Sequence, residues 1–287
     1  MISRNLRRLT WRLRCQCDCA DSTRIRYPAF PSAVIIVFSL ASAAPTVEAA
    51  SEAHRDAWVV QASAGLPPAV VGALYRIVGV DRRLLALRAY LRAGDALSQR
   101  WSWTQERLSA YPSTPEGKAA AYEINAVVAA FATTNPGFTL LVNRQPRSLD
   151  LQITHWNENE SVGRAAATLR TALERRLTVK GTPLNTDELR TALIEWLPES
   201  AAALAAPGLS AHGQGRAFDF QVAHRGQVIA GTNIASAHRQ WDEAGWTQKL
   251  RAAVSVEGNR FVGPLQSPYE PWHYAYTPVP MTDRKAP

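Results

Sequence analysis

One stretch of chain decides how the sequence is interpreted, and it reads Ser210-Ala211-His212-Gly213-Gln214-Gly215-Arg216-Ala217-Phe218-Asp219-Phe220. Gly213 and Gly215 allow the backbone to turn tightly before a strand-like run, which could bring His212 and Asp219 together. A neutral imidazole and a carboxylate are both good ligands for zinc. A pair of this kind more often forms a hydrogen bond or caps a turn, so the stretch alone leaves both interpretations open.

A second polar stretch lies about 50 residues further along the chain and reads Ser267-Pro268-Tyr269-Glu270-Pro271-Trp272-His273-Tyr274. His273 would supply a third ligand, and three protein ligands plus one water are the usual arrangement of a catalytic zinc ion. Glu270 lies three residues before His273, and a carboxylate beside such a site is the general base that hydrolysis needs. Taken alone, this stretch also fits a proline-rich edge strand in which Glu270 pairs with an arginine.

Together the two stretches resemble the zinc D-alanyl-D-alanine carboxypeptidase family, which includes the vancomycin-resistance D,D-dipeptidases and shares its fold with the hedgehog signalling domain. The family's second signature, E-P-W-H, is matched in full by residues 270–273. Its first signature, S-x-H-x-x-G-x-A-x-D, is matched by Ser210, His212, Gly215, Ala217 and Asp219. The resemblance implies that His212, Asp219 and His273 bind Zn²⁺ and that Glu270 is the catalytic base.

A third stretch, residues 145–152, looks like the family's S-G-Y-R-S-x-x-x-Q segment. The resemblance implies that Arg147 contacts the substrate near the scissile bond or its terminal carboxylate. It also assigns Gln152 a supporting role and places Ser210 at the substrate. The family's Ser-Gly-Tyr is replaced here by Arg144-Gln145-Pro146, so Arg144 competes with Arg147 for this role. Three histidines outside the motifs remain open as replacement metal ligands: His155, His224 and His238.

The flanking sequence indicates an α+β fold, with a small antiparallel sheet and flanking helices as the resemblance implies. Residues 50–133 carry apolar side chains at three- and four-residue spacings, which is typical of amphipathic helices. After a turn at 135–137, short β-branched runs alternate irregularly with helical segments. We therefore divide the chain into a leader at 1–49, a helical region of unknown role at 50–133 and a catalytic domain at 134–287. Strands are predicted at 138–142, 217–222, 228–230 and 273–276, and helices at 161–177, 186–197, 235–242 and 246–254.

The leader predicts export to a periplasmic or cell-envelope location. Seven arginines precede the apolar run Ala33–Ala44, and small residues suited to signal peptidase follow it. Cleavage is expected after Ala43 or Ala49, with an uncleaved membrane anchor as the alternative. All three cysteines lie in this leader, so the mature chain would carry no thiol, which suits an oxidising compartment. The longest apolar run is too short for a bilayer span, so no stable membrane span is expected in the mature chain.

The composition and charge of the chain exclude some classes of function. With 46% hydrophobic and 20% charged residues, the chain is an ordinary globular protein. Its net charge of +8 is not gathered into basic runs with interleaved aromatics, so nucleic acid is not expected as a partner. We therefore expect an exported zinc peptidase acting on peptidoglycan peptides, with D-alanyl-D-alanine carboxypeptidase activity. The alternatives are an L-Ala-D-Glu or other peptidoglycan endopeptidase, and a zinc-containing wall-binding module without activity.

Overall fold

The computed structural model describes residues 47–256 and 260–278 and confirms the predicted α+β class. The α-helices of these residues are, in chain order, α1 Val47–Ser63, α2 Pro68–Tyr75, α3 Val80–Ala93, α4 Leu97–Arg100, α5 Gln105–Ala110, α6 Pro115–Thr134, α7 Leu149–Glu158, α8 Glu160–Lys180, α9 Thr186–Glu195 and α10 Trp246–Val256. Single turns of 3-10 or π-helix lie at Gly94–Ala96, Tyr111–Ser113, Ala211–Gln214, Ile234–Ser236 and His238–Asp242.

The strands form one antiparallel sheet and a separate hairpin. They are β1 Phe138–Val142, β2 Ala217–His224, β3 Gln227–Ala230, β4 Phe261–Val262, β5 Leu265–Gln266, β6 Tyr269–Glu270 and β7 His273–Tyr276. In the sheet the strand order is β1-β2-β7-β4, and β3 pairs with β2 as well. Strands β5 and β6 form the hairpin. The long strand β2 is therefore the centre of the small sheet that the sequence predicts.

Capping side chains explain where the helices begin. The Thr114 hydroxyl accepts a hydrogen bond from the Gly117 amide at 3.0 Å, and Pro115 occupies the first turn of α6. The helix predicted from residue 161 begins at Glu160 instead, because the Asn159 side chain caps it. The helix predicted at 235–242 is replaced by a 3-10 turn and a π-helical turn. Local capping chemistry therefore sets the ends of these elements more sharply than the apolar pattern does.

Helices α1, α2, α3, α8 and α9 enclose one apolar core. Burying one leucine side chain in such a core stabilises the fold by roughly 1.5–3 kcal/mol relative to leaving it exposed. Helix α7 contributes Trp156 to the same core. Fully buried members of this helical core include Leu74, Leu84, Leu87, Leu169 and Leu193.

A second core lies between the sheet and helices α5, α6 and α10. Phe218 and Phe220 of β2 meet Phe131 of α6 and Leu250 of α10 there. Helix α6 belongs to the region predicted at 50–133, so this core extends across the predicted boundary near residue 134. The described residues all belong to one compact unit.

The predicted leader lies outside the described residues up to residue 46, and both the signal peptide and its cleavage sites stay predictions. Residues 47–49, which include one candidate cleavage site, form the start of α1. In the part of the chain that the structure describes, no helix is long and apolar enough to cross a bilayer.

Candidate metal centre

The antiparallel pairing of β2 and β7 places two of the candidate ligands side by side. Asp219 lies directly opposite His273, and next to them the Phe220 amide donates to the Trp272 carbonyl at 3.0 Å. Residues that lie opposite each other on paired strands share one face of the sheet. Phe218 is buried in the core of the sheet, so its chain neighbour Asp219 points to the other face, together with His273.

His212 reaches the same place from a short turn before β2. It lies in the 3-10 turn Ala211–Gln214, which ends at Gly215 with a φ of 61°. This left-handed conformation strains residues that carry a Cβ, and a Cβ on Gly215 would also lie 2.8 Å from the Tyr111 ring. Gly215 therefore allows the chain to turn from His212 directly into the central strand.

Residues 99–103 hold this turn in place. The buried Gln214 side chain donates to the Gln99 carbonyl at 2.7 Å and to the Trp101 carbonyl at 2.8 Å. The Trp103 amide donates to the Gly213 carbonyl at 3.0 Å. Leaving such buried polar groups unpaired would cost about 1–3 kcal/mol each. Part of the region at 50–133, to which the sequence pattern gives no role, therefore fixes the turn that carries His212.

His212, Asp219 and His273 converge on one point, and we call them the ligand trio. His212 Nε2 lies 3.2 Å from His273 Nδ1, and His273 Nδ1 lies 3.1 Å from Asp219 Oδ1. The third distance, from His212 Nε2 to Asp219 Oδ2, is 3.5 Å. The three side chains are between 14% and 19% exposed, so a ligand can reach them although most of their surface is covered. Their donor atoms all lie within 4.8 Å of one another and could hold a metal ion.

Asp219 is ionised in this environment. Burial raises the pKa of its carboxyl, but the hydrogen bonds and charges of His212 and His273 together outweigh burial and hold the pKa far below its usual range. The Arg147 guanidinium adds a positive charge 3.7 Å from Asp219 Oδ2. An ionised carboxylate beside two imidazoles is a ligand set suited to a divalent cation.

Glu270 lies beside the ligand trio on the β5–β6 hairpin. Its Oε2 lies 3.5 Å from His273 Nδ1, and its side chain is 15% exposed. Burial raises the pKa of this carboxyl, and the charge of Asp219 adds to the effect, while His273 and Arg147 oppose it. A carboxyl with a raised pKa at the edge of the trio can exchange a proton with a molecule bound there.

Of the two arginines that the sequence leaves open, the structure brings Arg147 to the trio. The Arg147 amide donates to the His212 carbonyl at 2.9 Å, which ties its loop to the turn that carries His212. Its guanidinium lines the cleft above Asp219. Arg144 instead donates to Asn125 Oδ1 of α6 at 2.6 Å, on the exposed surface.

Gln152 supports Arg147 from inside the protein. Its side chain is only 6% exposed, and its Nε2 donates to the Ser102 hydroxyl and to the Arg147 carbonyl, both at 2.9 Å. Its Oε1 accepts from the Gly208 amide at 3.0 Å. Gln152 therefore joins three loops beneath the site, and its supporting role at the substrate stays a prediction.

Ser210 and the remaining histidines lie around the trio. The Ser210 carbonyl accepts from the Gly213 amide at 2.9 Å, and contact of Ser210 with substrate stays a prediction. His224 packs against Phe138 with ring centres 4.8 Å apart. Within residues 47–256 and 260–278, the group of donor atoms that could hold a metal ion does not include His155, His224 or His238.

A cluster around Asp242 fixes the hairpin that carries Glu270. Asp242 Oδ1 accepts from the hydroxyls of Tyr269 and Thr247, each at 2.6 Å, and Oδ2 lies 2.8 Å from His238 Nδ1. The His238 and Tyr269 rings stack with their centres 5.0 Å apart. Tyr269 is the chain neighbour of Glu270, so this network holds β6 in position. Its members come from three separate elements, and no sequence motif indicates them.

A cleft of about 750 Å³ opens over His212 and Asp219. One wall comes from β1, β2 and the Arg147 loop, and the other comes from α5 and the turn after it, with Gln105 and Ser109 facing the space. Among the described residues that line the cleft, Arg147 is the one arginine or lysine, and most other polar groups are uncharged amides and hydroxyls. The volume is that of a pocket for a small ligand or short peptide.

The site combines three features with a clear chemical meaning. Three donor atoms surround one point, a carboxyl with a raised pKa lies beside them, and an arginine faces the cleft. Together these groups can hold a metal ion, move a proton and bind an anionic group of a ligand. Comparison of the chain with family models, with curated proteins and with solved structures finds no match.

Proposed function

We propose that this chain is a zinc metallopeptidase whose substrates are the stem peptides of peptidoglycan. It cleaves the bond between the two terminal D-alanine residues. The observation that carries the proposal is the convergence of His212, Asp219 and His273 with Glu270 beside them. Structural zinc sites are closed by a fourth protein ligand and have no use for a neighbouring base. The resemblance to the zinc D-alanyl-D-alanine carboxypeptidase family supports the substrate class, because the same residue types occur in the same order.

The donor set fits zinc in number, type and spacing. Two donors that each lie about 2.0–2.1 Å from one tetrahedral ion are about 3.3 Å apart. His273 Nδ1 lies 3.1 Å from Asp219 Oδ1 and 3.2 Å from His212 Nε2, and His212 Nε2 lies 3.5 Å from the other carboxylate oxygen, Asp219 Oδ2. Two imidazoles and one carboxylate leave the fourth position of the tetrahedron for water or substrate. When bound, zinc would lower the pKa of a water molecule and polarise the substrate carbonyl.

Glu270 would carry the proton during hydrolysis. As a carboxylate it accepts a proton from the attacking water, and it then gives that proton to the nitrogen of the leaving amine. The hydroxyl of the water goes to the carbonyl carbon as the C–N bond breaks, so one water is added in total. Burial supports this role because it raises the proton affinity of Glu270.

Arg147 would bind the substrate. A D-Ala-D-Ala terminus presents one carboxylate, two amide groups and small methyl side chains. The guanidinium of Arg147 can donate two parallel hydrogen bonds to that carboxylate, and the uncharged lining of the cleft suits the amides. Fixing one end of the substrate in this way typically contributes a few kcal/mol to the reaction. Gln152, which bonds to the Arg147 carbonyl, keeps the arginine in place.

The basic and apolar leader supports a periplasmic or cell-envelope location, where this substrate lies. Its features are those of a secretory signal. The cysteines of the chain are confined to that leader, and the rest of the sequence is free of thiols.

Analysis of muropeptides by HPLC and mass spectrometry tests the proposal. The protein is incubated with pentapeptide muropeptides in the presence of zinc, in the presence of a chelator, and as the Glu270→Gln variant. Glu243→Gln, on an exposed turn, is the matched control. We expect loss of one terminal alanine that depends on zinc. Glu270→Gln should lower turnover about 10²–10⁴-fold and leave the zinc content unchanged.

The same experiment separates the alternatives. Cleavage at the L-Ala-D-Glu bond or elsewhere in the stem would retain the mechanism and make the protein an endopeptidase. Stoichiometric zinc without any zinc-dependent cleavage would contradict the peptidase proposal and favour a wall-binding module. Near-full activity of Glu270→Gln would show that another group is the base.

A further inference from the structure

The helical half of the molecule contains a second cavity, which shares no lining residue with the cleft. It has a volume of about 400 Å³ and lies between α3, the end of α9 and the loop of residues 198–209. Its floor is apolar and includes Trp156, Leu85 and Leu209, together with several alanines. We call this cavity the arginine groove. Its volume falls in the range of pockets that bind small ligands, about 300–1,000 Å³.

Three arginines line the groove, and no acid balances them. They are Arg88, Arg92 and Arg100, and the described residues that line the groove include no aspartate or glutamate. Several other arginines of the helical region each pair with a carboxylate, whereas Arg82 and Arg190 donate to backbone carbonyls. The paired arginines are Arg55, Arg76, Arg83, Arg164, Arg170 and Arg176. Arg88, Arg92 and Arg100 have no such carboxylate partner among the described residues that line the groove.

The side chain of Arg88 is ordered by its contacts with Trp196. Its Nε and Nη2 donate to the Trp196 carbonyl at 3.1 and 2.7 Å, and its guanidinium lies over the Trp196 ring, 5.2 Å from the ring centre. Burial and the positive charge of Arg92 lower the pKa of Arg88, so the two cations are close enough to repel each other. An anion bound between them would relieve this repulsion. A side chain that is already ordered also loses little entropy on binding.

We propose that the arginine groove binds a short acidic peptide with small apolar side chains. The carboxylates of the peptide contact Arg88, Arg92 and Arg100, and its methyl groups lie on the apolar floor. Arginine suits this role because its planar fork matches a carboxylate. A strongly hydrated ion such as phosphate would use the cationic rim but not the floor, so it binds more weakly than the peptide. The inference does not depend on the reaction at the metal centre.

Isothermal titration calorimetry of the full chain tests this inference. The probes are the peptide N-acetyl-Ala-Glu-Ala, which carries two carboxylates, its neutral analogue N-acetyl-Ala-Gln-Ala-amide, and inorganic phosphate. Arg92→Gln and Arg100→Gln remove exposed charges and should leave the fold intact, as circular dichroism would check. Each variant should weaken binding of the acidic peptide about fivefold, the upper range for one exposed ion pair. Arg175→Gln, on an exposed face of α8, should leave the affinity unchanged.

Several different results would each contradict one part of the proposal. Absence of peptide binding would show that the groove is not a peptide site. Equal binding of the neutral analogue would show that the carboxylates are not recognised. Phosphate binding as tight as peptide binding would reduce the groove to a general anion site. Equal effects of Arg92→Gln and Arg175→Gln would show a dependence on net charge alone. Loss of binding in Arg147→Gln, with native binding in Arg92→Gln and Arg100→Gln, would place the peptide in the cleft instead.

Discussion

The sheet and the segment of residues 99–113 build the same site, but they contribute different things. The sheet and its adjoining turn and hairpin supply the groups that would touch a ligand: the trio His212, Asp219 and His273, with Glu270 beside them. The segment supplies backbone carbonyls to the buried Gln214 side chain and one wall of the cleft. The chemistry is thus concentrated in two short stretches of chain, whereas the shape of the site depends on contacts made over more than 100 residues.

Removing a member of the trio should have the largest effect. In His273→Ala, one of three donors is lost, so zinc affinity should fall by about 100-fold or more, beyond the range typical of outer contacts to metal ligands. Turnover of muropeptides should be lost with the metal. Competition with a zinc-sensitive dye measures the affinity, and chelation of the native protein should reproduce the loss of turnover.

His155→Ala is the matched control for this change, since it removes a histidine of α7 that lies outside the trio. We expect it to leave zinc affinity and turnover unchanged. If His273→Ala retained stoichiometric zinc at the native affinity, the assignment of the trio would be wrong. The conclusion that the sheet supplies the ligand-contacting groups, and residues 99–113 only their support, would then fail as well.

The supporting segment is tested by Gly213→Ala. A Cβ at this position would overlap the Ser102 hydroxyl and lie 2.7 Å from Gln152 Nε2. Overpacking of this kind lowers the free energy of unfolding by about 1–3 kcal/mol. Because Gly213 is the chain neighbour of His212, zinc affinity should fall as well, by about 10-fold. Urea denaturation and zinc titration measure the two effects.

Gly231→Ala provides the comparison, because the nearest atom to its added Cβ is Val228 Cγ1 at an ordinary 3.5 Å. This variant should change neither stability nor zinc affinity appreciably. Gly213→Ala with native zinc affinity would show that residues 99–103 pack against the His212 turn without setting its position.

The convergence of His212, Asp219 and His273 could be predicted because their motifs resemble those of a zinc-site family, in which few residue types can serve as ligands. The pairing of β2 with β7 then places Asp219 opposite His273. Local features were predictable for a similar reason. The strand at 138–142 is a short β-branched and apolar run between turn residues, and Thr114-Pro115 is a strong helix start. Each of these signals depends only on residues that are adjacent in the sequence.

Contacts over long sequence distances could not be predicted in this way. The Gln214 side chain bonds to the backbone carbonyls of Gln99 and Trp101, and almost any residue could supply those carbonyls. The amphipathic pattern of α6 predicts a buried face but not which surface covers it. That surface is the sheet, so the core crosses the boundary predicted near residue 134.

Tyr269→Phe tests whether the Asp242 cluster acts on the hairpin of Glu270. The change removes a hydroxyl that donates to Asp242 Oδ1 at 2.6 Å, so kcat should fall by about 10-fold while zinc affinity stays native. Thr247→Ala removes a second hydroxyl from the same oxygen, also at 2.6 Å, but it lies on α10. Equal losses of kcat in both variants would assign the effect to Asp242 and general stability; a loss confined to Tyr269→Phe would assign it to the positioning of Glu270.

The smallest expected effect concerns the wall of the cleft that the helical region supplies. Gln105 is exposed on α5 and faces the cleft, so Gln105→Ala should raise KM for muropeptides about two- to fivefold, the loss of one weak hydrogen bond. Turnover at saturation, zinc content and stability should stay native, because the trio and the His212 turn are untouched. Gln248→Ala, an exposed glutamine of α10, should leave KM unchanged. An unchanged KM in Gln105→Ala would restrict the helical region to holding the turn, whereas a change in kcat would mean that α5 reaches the reacting groups.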